Sequence, residues 1–207
     1  MSIQTQSHKF AAVVLQNLPE LPDDMMQNWI QSPQKLQIIL TSLSLHTKIF
    51  KTIKIGTGFT NIDELRLALN KQDGKKHVTE EADRFLSNPQ FKLSETPTNL
   101  DLVVLSLDDL GLGEQAYQEQ VYAQAMAWGL QLCPNEVGPQ LYLQYPEQPI
   151  EEHLVIAMKS LAWGNDEFGN FSVANSFASG RLLRVRGGKP WEKWANRFKF
   201  VFVKPRK

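Results

Sequence analysis

Three side chains have the chemistry to act on a substrate: Glu136, Cys133 and His153. A carboxylate can take a proton, a thiolate can attack an electrophile, and an imidazole can generate that thiolate. Two of the three fall in the run Cys133-Pro134-Asn135-Glu136-Val137-Gly138-Pro139-Gln140, where two prolines and a glycine brace the backbone. His153 is the nearest histidine downstream. Asp101, Asp108, Asp109 and Glu147 flank apolar runs and are available to join Glu136 in acid–base work or around a divalent ion. A small hydrolase using Glu136 with other carboxylates, or using Cys133, is one function these residues allow. The plainer reading is a core cysteine and five solvated acids, since no second catalytic group stands at a fixed spacing. The same run suits ligand binding through Asn135, Glu136, Gln140 and Gln144, all hydrogen-bonding side chains.

A second constellation closes the chain. From residue 181 onward ten lysines and arginines accompany one acid, Glu192. Arg184, Arg186 and Arg197 with Trp191 and Trp194 form a basic, aromatic segment, the composition that attracts phosphates and stacks on bases. Against nucleic-acid binding stands a net charge of zero over the whole chain. The alternation of Leu183 and Val185 with Arg184 and Arg186 also reads as an ordinary half-solvated strand.

Other chemistry is thin. The four histidines, His8, His46, His77 and His153, are scattered, and Cys133 has no partner at zinc-ligand spacing. No metal and no cofactor are expected. Gly56-Thr57-Gly58 precedes a helix, the setting of an anion site, but it lacks the lysine and spacing of a phosphate loop.

The elements that must position these residues emerge from periodicity. Short helices are predicted over 10–18, 23–32 and 34–43, the latter two opened by Pro22 and Pro33. Residues 48–55 alternate as an edge strand carrying lysines. Thr60 or Asn61 caps one helix and Thr79 another. Residues 94–99, Ser-Glu-Thr-Pro-Thr-Asn, read as a linker. The unbroken apolar run 102–107 reads as a strand buried on both faces. Residues 114–128 form a helix closed by Gly129, residues 130–140 a loop, and residues 141–145 a half-buried strand by alternation. Further strands are predicted at 153–159, 181–186 and 198–203, with turns at 164–166 and Gly187-Gly188. The predicted class is α+β: N-terminal short helices, then a β-α-β start leading into a mostly antiparallel sheet. Three regions are expected: 1–47 helical, 48–99 a strand with two helices packed on the main domain, and 100–207 that main α+β domain.

At 42% hydrophobic and 21% charged residues, 207 residues build a core without staples. One cysteine permits no intrachain disulfide, which suits a reducing compartment. The polar start carries no signal-peptide pattern, and no apolar run is long enough to span a membrane, so a cytoplasmic protein is expected. Charge is uneven: residues 101–150 hold seven acids and no base, residues 151–207 eleven bases and five acids. Such segments either neutralise one another in the fold or present a partner surface.

Residues 50–58 and, more specifically, Gly129-Leu130-Gln131-Leu132-Cys133-Pro134-Asn135-Glu136-Val137-Gly138-Pro139-Gln140-Leu141 resemble a family of uncharacterised bacterial proteins. Gln144-Tyr145, Gln148-Pro149, Leu154-Val155-Ile156-Ala157-Met158, Trp194 and Phe200-Val201-Phe202 come in matching order, so the resemblance runs over about residues 28–203. It implies no activity. Tyr142 stands where the family pattern has arginine, and Lys159 where it has glutamate; if those two form a functional pair in the family, this chain lacks it, so the resemblance does not carry an anion-binding role to position 142. The reading favoured by this sequence is a non-catalytic binding or accessory module of a bacterial cytosolic system, with a protein or small-molecule partner. A hydrolase and a nucleic-acid-binding protein are the alternatives.

Overall fold

The computed structural model of the protein describes residues 48–70, 77–162 and 168–206, together with Gln27 and Gln31. The helices expected before residue 48 and the turn expected at 164–166 lie outside the described residues. Residues 42–207 form one compact unit.

The described elements, in chain order, are β1 (Lys51–Ile55), α1 (Ile62–Asn70), α2 (Glu80–Leu86), β2 (Thr98–Leu105), β3 (Gln115–Tyr117), α3 (Gln118–Ala127), α4 (Val137–Gln144), β4 (His153–Ile156), β5 (Leu161–Ala162), β6 (Phe168–Ser176), β7 (Gly180–Gly187), β8 (Lys193–Ala195) and β9 (Lys199–Lys204). Seven strands make one sheet in the order β1-β2-β9-β4-β6-β5, with β7 also paired to β6; β3 and β8 form a separate two-stranded ribbon. Every pairing is antiparallel except β4 beside β9. The fold is α+β with a mostly antiparallel mixed sheet.

The sheet carries a core on each face. On one face Ile53, Leu102, Leu154, Val173, Leu183 and Val201 meet Leu65, Leu69, Phe85, Val137 and Leu141 from the helices. On the other, Val103, Leu105, Val155, Phe200 and Phe202 meet Val121 and Ala125 of α3 and Trp194 of β8. Because both faces are buried, β2 and β9 show continuous apolar runs where a one-sided strand would alternate.

Caps agree with the sequence signals. Thr79 accepts the Ala82 N–H at the start of α2. Gly129, at φ +80°, ends the helical stretch after α3 in the left-handed conformation that glycine adopts without strain. Several expectations are corrected, among them the loop expected over 130–140, whose last four residues belong to α4. Residues 115–117 are a short strand, so the helix expected from 114 starts at Gln118. Residues 141–144, expected to lie in a strand with Tyr145, belong to α4, and Tyr145 is its C-cap. Pro139 lies in the first turn of α4, where its missing N–H costs no helical bond. Gly138 lets the helix press on the sheet, because a Cβ there would stand 2.5 Å from the Phe171 Cβ. The next strand of the main sheet after β2 is therefore β4, a stretch further along.

No boundary interrupts the fold at residue 99. β1 pairs with β2 from Lys51↔Leu102 to Ile55↔Thr98, and α1 and α2 share the first core.

Candidate functional site

The braced run around Glu136 is built inward. Glu136 is 1% exposed and leaves its own helix uncapped. Its Oε1 accepts the Gly56 N–H at 3.0 Å and its Oε2 the Ser94 N–H at 2.7 Å. Gln140, one turn on, donates to Glu136 Oε1 at 3.0 Å, and Gln144 donates to Gln140 Oε1 at 2.8 Å. The same Gln144 amide accepts the Lys54 N–H at 2.9 Å and donates to the Lys54 carbonyl at 2.7 Å. It thus pairs with the outer edge of β1 as another strand would. Asn135 donates to the Gln90 carbonyl at 2.9 Å and accepts from the Lys92 N–H at 3.4 Å. Asn135, Glu136, Gln140 and Gln144, the sequence candidates for ligand binding, are therefore occupied by the protein's own groups, mostly backbone.

The catalytic candidates do not assemble. Cys133 is buried, its thiol donates to the Val201 carbonyl at 3.3 Å, and burial pushes that thiol well above its ordinary range. Cys133 pairs with Met158. His153 opens β4, five residues before Met158, about 16 Å away at the rise of an extended strand. No base among the described residues reaches the thiol. The acids are likewise separated: Asp101 is held by Arg206 and Thr52, Asp109 accepts from Ser106, Asp108 accepts from Asn196, and Glu147 pairs with Lys51. Among the described residues no cluster of histidine, cysteine and acids could hold a metal ion. At the Gly56-Thr57-Gly58 turn the Gly56 N–H belongs to Glu136. The next helix is closed by its own Asn61 and Glu64, which bond Glu64 N–H and Thr60 N–H respectively.

The basic C-terminal segment divides. Trp194 is 4% exposed and packs edge-on against Phe198 and Phe200 at centroid distances of 5.1 and 5.3 Å, so it cannot stack on a base. Trp191 is 66% exposed, with Lys189 Nζ 5.9 Å from its ring. Arg186 and Arg197 gather at Phe198. Arg184 lies two residues before Arg186 on β7.

A site that sequence reading missed lies between α3 and the segments around Met158 and Pro190. It is a groove of about 710 Å³, a volume in the range of small-molecule pockets. Tyr122, Met126, Leu132, Met158, Phe168 and Trp191 form its apolar walls. Met126 is 49% and Phe168 40% exposed, an unusual concentration of large apolar surface. Glu119 and Lys159 add one charge of each sign. Beneath lies a polar network. Asn170 donates to Gln118 Oε1 at 2.8 Å, to the Tyr122 hydroxyl at 3.2 Å and to the Gly187 carbonyl at 3.3 Å. Ser160 donates to the Gly188 carbonyl at 2.6 Å and lies 2.9 Å from Asn170 Oδ1. Gln118 donates to the Gly188 carbonyl at 3.1 Å. Burial raises the Tyr122 phenol above its ordinary range, so it stays protonated at any physiological pH. The floor is a mutually hydrogen-bonded set of neutral groups, with no activated nucleophile among them. The local sequence signals were Trp191 and the Met158-Lys159 pair of the family pattern, and neither pointed to a groove; the walls come from segments far apart in the chain.

No family model, no curated protein and no solved structure matches this chain. No helix among the described residues is long and apolar enough to cross a membrane.

Proposed function

We propose that the protein is a non-catalytic binding module whose ligand is a small molecule with an apolar or aromatic body, held in the groove between α3 and the Pro190–Trp191 segment. One observation carries this: a concave site walled by Met126, Met158, Phe168 and Trp191 over a buried network whose members already bond one another. Apolar walls supply affinity by area removed from water, while a fixed polar floor sets shape. Among the described residues the hydrolase reading has no thiolate, no base at Cys133 and no converging carboxylates to draw on. The nucleic-acid reading loses Trp194 to the core. The resemblance and the lone buried cysteine support a role in a bacterial cytoplasm.

The test uses the neutral fluorescent probe N-phenyl-1-naphthylamine. Saturable binding at one site per chain is expected, with amide shifts confined to 118–126 and 188–191. Ala123→Trp places a ring in the groove from an exposed helical position and should weaken binding at least tenfold. Binding that is unchanged by that substitution, or absent in the full chain, overturns the reading.

A further inference from the structure

A second site shares no lining residue with the groove, although its Arg186 is the cross-strand neighbour of Asn170 in the groove's floor. On β7, Leu183 and Val185 turn to the first core, so Arg184 and Arg186 project from the opposite face. Arg184 is the cross-strand neighbour of Ser172, and Ser172 of Val155, two residues after His153. From the turn before β9 comes Arg197. The Arg186 and Arg197 guanidinium carbons lie 5.6 and 4.8 Å from the centre of the Phe198 ring, and the His153 ring lies 6.2 Å from it. Two arginines and a histidine thus surround one buried phenylalanine, and Arg184 acts electrostatically on both Arg186 and His153.

None of the three guanidiniums has a hydrogen-bond or ion-pair partner among the described residues, in contrast to Arg181 on the other face, which donates to the Tyr142 carbonyl. Two polar atoms of the cluster, Arg186 Nε and His153 Nδ1, are shut away from solvent and unpartnered. Unmet donors in a shielded place are costly, and mutual repulsion adds to that cost. Two acids lie near the cluster: Glu151, whose carboxylate accepts the Phe177 N–H at 3.1 Å, and Glu192, whose carboxylate packs against Gly187 beside Arg186 without an ion pair to it. Burial and the Arg186 and Arg184 charges hold the His153 imidazole below its ordinary range; burial and Arg184 and Arg197 likewise lower the Arg186 guanidinium. The cluster carries positive charge that no ion pair among the described residues neutralises.

We infer that Arg184, Arg186, Arg197 and His153 form a binding site for a phosphoryl group, that of a small phosphate monoester or of free phosphate. Guanidinium forks match the oxygens of such a dianion, and Phe198 supplies the dry backing that strengthens the bonds. A phosphate at this position would satisfy the donors that the protein leaves unmet.

Sodium phosphate is titrated into ¹⁵N-labelled full-length protein at pH 7, with sodium chloride holding ionic strength constant. The Nε–Hε signals of Arg184, Arg186 and Arg197 should move and saturate, and the His153 ring should titrate at higher pH with phosphate present, because a dianion stabilises imidazolium. Arg186→Gln and Arg184→Gln should each weaken binding about tenfold, whereas Arg206→Gln, outside the cluster, should not. Phenyl phosphate binding more tightly than phosphate identifies an ester as ligand; equal affinity identifies the free ion. Absence of saturation, or shifts that survive Arg186→Gln in a variant with an unchanged melting temperature, overturns the proposal. A twelve-residue oligothymidylate that binds where phosphate and phenyl phosphate do not also overturns it, in favour of an extended nucleic-acid surface.

Discussion

The Glu136 carboxylate lies 3.0 Å from the amide nitrogen of Gly56, eighty residues upstream, in a site closed to water. Its other oxygen holds Ser94. One side chain therefore ties the end of β1, the segment before β2 and the start of α4 into one unit. Removing it leaves buried donors unpaired, the costly half of a hydrogen bond. Glu136→Ala should destabilise the protein by about 3–5 kcal/mol, and Glu136→Gln, which keeps one acceptor oxygen, by about 1–3 kcal/mol. Urea unfolding of both variants measures the difference. Equal, small losses would show that the carboxylate is not a structural tie.

Gly138 makes the opposite kind of test. Alanine is the better helix former by about 1 kcal/mol. At this position, however, its Cβ would sit 2.5 Å from Phe171 Cβ and 2.7 Å from Cγ, against a ring already fixed edge-on by Phe85 and Phe91. Neither neighbour has room to retreat, so Gly138→Ala should cost about 1–3 kcal/mol despite its propensity. A stabilised variant would mean that α4 can lift from the sheet.

The two tryptophans near the C-terminus should separate cleanly. Trp194→Ala empties a packed position between Phe198 and Phe200 and should lose about 3–5 kcal/mol. Trp191→Ala removes an exposed ring and should change stability by less than about 0.5 kcal/mol, while weakening N-phenyl-1-naphthylamine binding severalfold. Denaturant titration and probe fluorescence read the two effects. Trp191→Ala with unaltered probe affinity would remove this ring from the groove's working surface.

Asp101 sets an acid limit. Hydrogen bonds from Arg206 and Thr52 hold its carboxyl at about 2, below the ordinary 3.8. The folded state then binds fewer protons than the unfolded state between those values. The contribution of this pair is complete above pH ~4 and is lost as pH falls towards 2. Arg206 is half-exposed, so solvent screening keeps the contribution small. Asp101→Asn should lower stability at pH 7 by that small contribution and flatten the acid limb of the stability curve between pH 4 and 2. Parallel curves for wild type and variant would assign the acid limb to other groups.

Several strands were legible where burial imposes a local pattern, but β6, buried along most of its length, was not. The continuous run at 102–105 reflects a strand covered on both faces, and the alternation at 183–186 one with a covered and a half-covered face. Thr79 and Gly129 were legible because caps act over three or four residues. Residues 141–145 misled because Leu141, Leu143 and Tyr145 alternate by chance. The helical ladder Glu136–Gln140–Gln144 runs through polar side chains that a search for apolar periodicity passes over.

Sequence alone determined the class of fold, most strand positions, the core character of the closing strand and the grouping of arginines with aromatics. Each rests on neighbours within a few residues, where periodicity records burial. Tertiary structure alone decided which groups are free. It committed Asn135, Glu136, Gln140 and Gln144 to contacts with residues 54–56 and 90–94 and with one another, buried the Cys133 thiol against the Val201 carbonyl, and buried Trp194 while leaving Trp191 open. It also built the groove from side chains of residues 118–132, 158–160, 168 and 188–191. Whether a polar group meets a partner or a ligand depends on atoms tens of residues away, and no local spacing encodes that.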